Sequence, residues 1–409
     1  MFRKIKNFSH IFEAILASLL FGFPARKLII IGVTGTDGKT TTASLINHVL
    51  KSNGLSSGMI TTVGAQIGGK SFETGYHTTT PSAFFLQKYL KKAVDSGDKY
   101  LVIETTSHAL DQNRIFGIKF KVGVLTNVTH EHLDYHKSYD NYLATKVKLL
   151  KNSEVAVLNM DDASYFKAQE LLTGKTTISY SVASVSANFN GALLKNKELL
   201  SSVNCSNYLA AFSVCKVLGF KEEEILSAFN TFVLPVGRQE EVYSKNFKVI
   251  IDFAHTPNSF EAILSKVRLG TSGRLIHIFG AAGKRDITKR SVMGKISSKY
   301  SDIIVLTAED PRGESVEQIN KDIEEGISRD FTQIEENMIS KNQSKVKLFL
   351  EVSDRYEAIK FAVLNAKKGD TVLITGKGHE RSMNLGRGEI PWSEHKAVKD
   401  ALKKRVKRN

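Results

Sequence analysis

Residues 28–50 constrain the fold more than any other stretch of this chain. A β-branched apolar run, Leu28 to Val33, passes through Gly35-Thr36-Asp37-Gly38-Lys39-Thr40-Thr41-Thr42 into a segment with apolar residues at helical spacing, Thr40 to Leu50. The pattern predicts a buried strand feeding a helix through a glycine-rich turn. Such a turn aims backbone N–H groups and a helix N-terminus at one point, where an anion is stabilised. Lys39 adds a positive charge, and Thr40 adds a hydroxyl able to reach magnesium. Gly35, Thr36, Asp37, Gly38, Lys39, Thr40 and Thr41 are therefore candidate triphosphate-binding residues. The spacing departs from the strict G-x-x-x-x-G-K-[ST] form, because Val33 stands at the first glycine position.

Strand-like and helix-like runs alternate along the rest of the chain. The strand-like ones are Tyr100 to Glu104, Val122 to Asn127, Val155 to Asn159, Val249 to Phe253, Leu275 to Phe279, Ile303 to Thr307 and Val372 to Thr375. Alternation of this kind predicts an α/β protein with mostly parallel sheets. At 409 residues the chain exceeds what one core organises, so two domains are expected. The irregular run Phe232 to Arg238 marks their junction. The reading is an N-terminal apolar and basic helix (1–26), a central phosphate-loop domain (27–235) and a Rossmann-like C-terminal α/β domain (236–409). Residues 181–203 lack periodicity, and residues 328–346 read as a loop-rich insertion.

The formal charge of +15 suits nucleic acid, anionic lipid or an anionic substrate. Much of it sits at the ends, in Arg3, Lys4 and Lys6 and in Lys403, Lys404, Arg405, Lys407 and Arg408. That tail lacks interleaved aromatics, which argues against nucleic acid. Cys205 and Cys215 lie in one helical stretch, so no disulfide is expected and a cytoplasmic location is favoured. The apolar run Ile11 to Phe23 is too short to span a bilayer and is interrupted by Glu13. The phosphate-loop domain follows it at once, which leaves no room for a signal-peptide cleavage site. Two readings stay open for it: a helix packed on the first domain, or an interfacial helix giving weak association with a membrane surface.

Two polar clusters follow strands. Glu104 ends one strand with a carboxylate and is succeeded by Thr105 to Arg114; Asn127 to His136 follows the next. Open α/β sheets place functional groups at the carboxyl ends of their strands, and a hard cation such as magnesium takes oxygen ligands, which makes Glu104 a candidate ligand. His130, His132 and His136 lack a zinc-type spacing and a cysteine partner.

Several ordered segments together are similar to the Mur ligase family, most closely its tripeptide-synthetase branch. They are Gly35 to Thr41, Thr79-Thr80-Pro81, Glu104 to Arg114, His132-Leu133-Asp134-Tyr135-His136, Asp252-Phe253-Ala254-His255-Thr256-Pro257, Gly280 to Arg290, Glu309-Asp310-Pro311-Arg312 and Gly376-Lys377-Gly378-His379-Glu380. The resemblance covers roughly residues 28 to 400. It implies a monomeric, ATP- and Mg2+-dependent amide ligase working through an acyl phosphate, with Lys39, Lys146 and His132 in catalytic roles. Thr40, Glu104, His132 and Lys146, the last as a carbamate, would be metal ligands. Taken alone, Lys146 reads as a surface helix residue beside Lys148 and Lys151. Asn207, Arg238 and Asp252 match nucleotide contacts, although Asn207 is also an ordinary helix cap.

On the substrate side, Thr79, Thr80, Thr106, Gln112 and Arg114 match contacts to a UDP-MurNAc-dipeptide. His255, Arg285, Glu309, Asp310, Pro311, Arg312, Gly376 and Glu380 match amino-acid contacts. Retention of Arg312 favours meso-diaminopimelate over lysine as the added amino acid, since arginine pairs bidentately with a second carboxylate. An internal salt bridge of Arg312 with Glu309 or Glu314 is the competing reading. Only 27 residues precede the first predicted strand, where the family usually carries a uridine-binding domain of about a hundred residues, a normal domain size. This keeps a folylpolyglutamate-synthetase-like ligase open as an alternative, together with a non-catalytic scaffold.

Overall fold

A computed structural model describes residues 2–75, 79–129, 131–194, 196–200, 202–335 and 347–406. His130, Lys407 and Arg408 lie outside the described residues, as does 336–346 of the expected insertion. The chain divides into two units, Met1–Pro235 and Val236–Asn409.

In the first unit the strands are β1 (Ile29–Thr34), β2 (Ser57–Thr61), β3 (Gly64–Ile67), β4 (Lys70–Phe72), β5 (Tyr100–Glu104), β6 (Phe120–Leu125), β7 (Ser153–Asn159), β8 (Thr176–Ser181) and β9 (Phe189–Asn190). They form one sheet in the order β4-β3-β2-β5-β1-β6-β7-β8-β9. Only the β2–β3 and β3–β4 pairings are antiparallel, so β3 alone runs against the rest. Because β1 is central, both of its faces must be apolar, and its run Ile-Ile-Ile-Gly-Val meets that need. Ile30 joins the core on one face, with Phe120 and Leu149. Ile31 and Val33 join the other, with Ile46, Leu209 and Phe212. Gly32 is required by packing, since a Cβ there would lie 2.8 Å from Leu149 Cδ1 and from Phe120 Cδ1.

The predicted strand Val122 to Asn127 is shifted, since β6 starts at Phe120 and stops at Leu125. Beyond it, Thr126 and Asn127 turn their side chains onto the phosphate loop. The aperiodic stretch 181–203 supplies β9, whose two residues are too few to show a period. Cys205 and Cys215 are free thiols buried in the helix Cys205–Val217, and burial pushes both thiol pKa values up. The helix Phe2–Leu20 packs on the helix Ala83–Asp95. Among the described residues no helix is long and apolar enough to cross a membrane.

The second unit holds β10 (Glu240–Ser244), β11 (Lys248–Ile251), β12 (Leu275–Phe279), β13 (Ile303–Leu306), β14 (Phe331–Gln333), β15 (Lys347–Glu351) and β16 (Thr371–Ile374). Their order is β10-β11-β16-β12-β13-β15-β14, and every pairing except β10 with β11 is parallel. A separate hairpin pairs β17 (Ser382–Asn384) with β18 (Glu389–Pro391). Within the loop-rich stretch 328–346, Phe331–Gln333 form β14, which turns only Phe331 into the core. One buried residue in three gives no alternation to read.

Candidate active site

The phosphate loop leaves β1 at Thr34 and enters the helix Lys39–Ser52. Two of its glycines cannot be replaced without displacement. Gly35 has φ 152° and a Cβ there would fall 1.8 Å from Thr126 Oγ1, while Gly38 has φ 80° and its Cβ would fall 2.2 Å from Asn207 Oδ1. The end of β6 splints the loop: Asn127 Oδ1 accepts from the amides of Thr36 (3.1 Å) and Asp37 (2.8 Å), and Thr126 Oγ1 donates to the Asp37 carbonyl (2.6 Å). The first-turn amides of a helix starting at Lys39 have no intrahelical acceptor. Lys39 Nζ donates to Thr36 O at 2.6 Å. Asn207 accepts from Thr42 Oγ1 at 3.3 Å, so it abuts the helix that receives the loop.

Glu104 ends β5 beside β1 and is 1% exposed. Its Oε2 accepts from Thr40 Oγ1 (2.8 Å) and the Thr62 amide (3.0 Å), and its Oε1 accepts from Thr62 Oγ1 (2.9 Å). A buried carboxylate and a threonine hydroxyl directly behind a phosphate loop are hard oxygen donors, and as a donor set they fit magnesium.

Lys146 is not a surface residue. The helix Tyr139–Lys151 turns Lys148 and Lys151 to solvent and buries Lys146 at 1% exposure. Lys146 Nζ donates to Gly35 O at 2.5 Å and lies 4.3 Å from the centroid of Tyr142, one turn earlier on the same face. Burial, then the charge of Lys39, pull its pKa well below the ordinary lysine value, against Asp37 and Glu131. Tyr142 Oη in turn sits 3.3 Å from Thr36 Oγ1. His132, at φ 56°, belongs to a ring cluster, with centroids 4.8 Å from His108 and 6.3 Å from Tyr142. His136 is buried with Nε2 3.0 Å from Ser107 Oγ.

The residues that the resemblance assigns to the acceptor cluster beside Glu104. Thr80 Oγ1 donates to Glu104 O (3.0 Å) and accepts from the Thr106 amide (3.1 Å). Thr79 Oγ1 lies 2.9 Å from Thr62 Oγ1. Thr106 Oγ1 caps the helix Ser107–Asp111. Arg114 donates to Thr80 O (2.6 Å) and twice to Gln112 Oε1 (2.9 and 2.7 Å). Burial lowers its pKa, opposed by the nearby charge of Glu13.

In the second unit the predicted residues fall into two groups at the carboxyl ends of parallel strands. Around Phe253, the Arg238 guanidinium lies 4.4 Å from the ring centroid, the His255 and His379 rings lie 4.8 and 4.9 Å away, and Arg238 Nη1 is 3.3 Å from His379 Nδ1. Asp252 accepts from the amides of Gln239 and Ala254, both at 2.7 Å. The other group surrounds Lys377, a fully buried lysine paired with Asp310 Oδ1 (2.9 Å) and Glu380 Oε2 (2.5 Å). Burial pushes the Glu309 carboxyl up to about 7, with Asp310 adding to the rise and Lys289, Lys377 and Arg355 opposing it. A Cβ on Gly376 would lie 3.1 Å from that carboxyl. The Pro311 carbonyl closes over Gly283, where a Cβ would come within 1.9 Å.

Arg312 pairs with neither Glu309 nor Glu314. Its Nη2 lies 3.6 Å from Asp310 Oδ2, and Glu314 is taken by Arg290 at 2.6 and 2.9 Å. Arg285 stands exposed on the turn before the helix Lys289–Tyr300.

The site residues named from sequence omit Thr126, Asn127, Tyr142, Glu131, Lys377 and Arg355, although Asn127, Glu131 and Lys377 lie inside segments quoted there. Arg355 has the least visible signal. Its fully buried guanidinium donates to Ala308 O (3.0 Å) and Thr375 O (2.7 Å), the carbonyls just before Glu309 and Gly376, and pairs with Glu394 at 2.5 Å. An arginine opening a helix, here Arg355–Asn365, works against the helix dipole, and that misfit is the only hint the sequence offers.

Known proteins resemble this chain over most of its length. The Mur ligase middle domain matches residues 33–219, and the Mur ligase, glutamate ligase domain matches residues 237–378. UDP-N-acetylmuramoyl-L-alanyl-D-glutamate–2,6-diaminopimelate ligase 1 of Clostridium acetobutylicum is 36% identical over 410 residues, covering 95% of this chain and 81% of the relative. A solved UDP-N-acetylmuramoyl-L-alanyl-D-glutamate–2,6-diaminopimelate ligase superposes with TM-score 0.58 at 26% identity, over 93% of this chain and 79% of that one. Mycobacterium tuberculosis folylpolyglutamate synthase superposes with TM-score 0.67 at 16% identity, over 90% of this chain and 92% of that one, a likeness of fold alone. The chain belongs to the Mur ligase family.

Proposed function

We propose that this chain is an ATP-dependent ligase that adds meso-diaminopimelate to the D-glutamyl carboxylate of UDP-MurNAc-L-Ala-D-Glu through an acyl phosphate. The observation that carries the reading is the convergence of Lys39, Thr40, Glu104 and Lys146 on one glycine loop, in a chain 36% identical to a ligase of that name.

In the first step a carboxylate oxygen bonds to the γ-phosphorus of ATP and ADP leaves. Both reactants are anionic, so positive charge must meet them. Lys39 and the first-turn amides supply it from the protein. Thr40 and Glu104, with His132 and a carbamylated Lys146, would hold Mg2+, which when bound neutralises phosphate charge. Lys146 is suited to carbamylation because only a neutral amine adds to carbon dioxide, and burial disfavours its ammonium form. Thr79, Thr80, Thr106, Gln112 and Arg114 would orient the dipeptide end. In the second step the amine nitrogen bonds to the acyl carbon and phosphate leaves.

For the amino acid, Arg312 is the deciding residue. At 3.6 Å its contact with Asp310 is beyond hydrogen-bond length, and Asp310 is already held by Lys377 at 2.9 Å. The guanidinium keeps donors for a second carboxylate, which diaminopimelate has and lysine lacks. Arg238, Asp252 and Asn207 would contact the nucleotide, and His255, Arg285, Glu309, Pro311, Gly376 and Glu380 the amino acid.

The test is phosphate release from ATP and Mg2+ with UDP-MurNAc-L-Ala-D-Glu plus either amino acid, and with a folate plus glutamate. Release with the muramyl dipeptide and diaminopimelate is expected. Release with folate alone would move the chain to the folylpolyglutamate-type reading, and none with any acceptor would leave a non-catalytic scaffold.

A further inference from the structure

The helix Phe2–Leu20 packs with its small residues inward. Ala14, Ala17 and Ser18 are buried, whereas Phe12, Leu16, Leu19 and Leu20 are 54%, 64%, 56% and 70% exposed. The small inward face lets the helix lie close on Ala83–Asp95, and the bulky apolar face is left outward. That face continues onto the second helix through Phe84 and Phe85, which are 38% and 52% exposed. Their rings are 5.8 Å apart, and Phe84 meets Phe21 at 5.3 Å, so the two helices share one aromatic seam. Contiguous apolar surface of this kind marks a docking face.

Its border is cationic. Arg26 and Lys27 are exposed at one end, with the Arg26 guanidinium 4.4 Å from the Phe23 ring centroid, and Lys88 is exposed beside Phe84 and Phe85. Arg3, Lys4 and Lys6 precede the apolar run in sequence. Glu13, the one acid among residues 1–27, is occupied by His10 (3.5 Å) and the Phe84 amide (3.2 Å). A second copy would set these cations against their like, on a chain whose net charge is already +15. Anionic headgroups complement them, and an acyl boundary receives the bulky side chains.

We propose that this face seats on an anionic lipid surface, with the helix lying in the plane of the interface. The proposal does not depend on which acceptor the ligase uses.

The test is flotation of the full chain with phosphatidylcholine vesicles and with vesicles containing phosphatidylglycerol. Binding to the anionic vesicles, weakening with salt, is the expected result. Binding should fall roughly tenfold or more in the double variant Leu16→Glu/Leu20→Glu, which withdraws two leucines from apolar contact. Both positions are exposed, so the variant folds, as an unchanged melting curve would confirm. Absent flotation, or equal flotation of the variant, overturns the proposal. So does a wild-type dimer in sedimentation that the variant dissolves without any vesicle binding, which would assign the face to a second copy.

Discussion

The phosphate loop of the first unit and the Lys377 cluster of the second solve similar problems by different means. The loop is built from backbone: glycines at 35 and 38 admit neighbours that no Cβ would allow, and Thr126 and Asn127 hold its amides and carbonyls. The cluster is built from charge, with one buried lysine between two carboxylates and one buried arginine tying two loops to Glu394. Backbone geometry leaves a fixed sequence pattern, because only glycine tolerates it. A charge network can be assembled from residues far apart in the chain, and it leaves little pattern.

The comparison breaks first at its strongest points. Lys39→Ala removes the loop's point charge where negative charge develops, and phosphate release should fall about 10²- to 10³-fold with the fold intact. A loss under tenfold would mean that the loop amides carry the site without it. On the charge side, Lys377→Met leaves Asp310 and Glu380 without their buried partner, and unfolding by urea should show a stability loss of roughly 3–5 kcal/mol. An unchanged urea midpoint would show that solvent, not the lysine, balances those acids.

A smaller effect separates positioning from binding. Arg355→Lys keeps the charge but cannot hold two carbonyls and Glu394 in one plane, so KM for the amino acid should rise about tenfold, equivalent to one lost hydrogen bond to a charged group, with KM for ATP unchanged. Equal changes in both constants would reduce Arg355 to a purely structural role.

Another effect concerns pH. Glu309 holds its proton up to about 7 in the folded state against an ordinary 4.5, so ionising it there costs stability that is lost as pH rises through this window. Glu309→Gln removes the cost, so its stability relative to wild type should improve between pH ~5 and pH ~8. Parallel pH profiles for the two proteins would place the charge elsewhere.

Legibility follows the same division. β1 and its loop were readable because a central strand must be apolar on both faces and the loop must contain glycine. β14 was not, because Phe331 alone faces the core. Glu104 could be read from its place at a strand end. Lys146 could not be read from residues alone, since its neighbours Lys148 and Lys151 are exposed and only the resemblance singled it out. Arg312 was visible, but its partner Asp310 was not anticipated, because the choice among three nearby acids depends on Arg290 having claimed Glu314.

The central claim is that the loop, Glu104 and Lys146 together activate a carboxylate by phosphorylating it. The direct measurement uses UDP-MurNAc-L-Ala-D-Glu carrying heavy oxygen in its D-glutamyl carboxylate, with ATP, Mg2+ and diaminopimelate, and weighs the released phosphate. Transfer of the heavy oxygen into phosphate is predicted, since the bond from carboxylate oxygen to phosphorus outlives the bond to carbon. Unlabelled phosphate formed alongside tripeptide product would contradict the account.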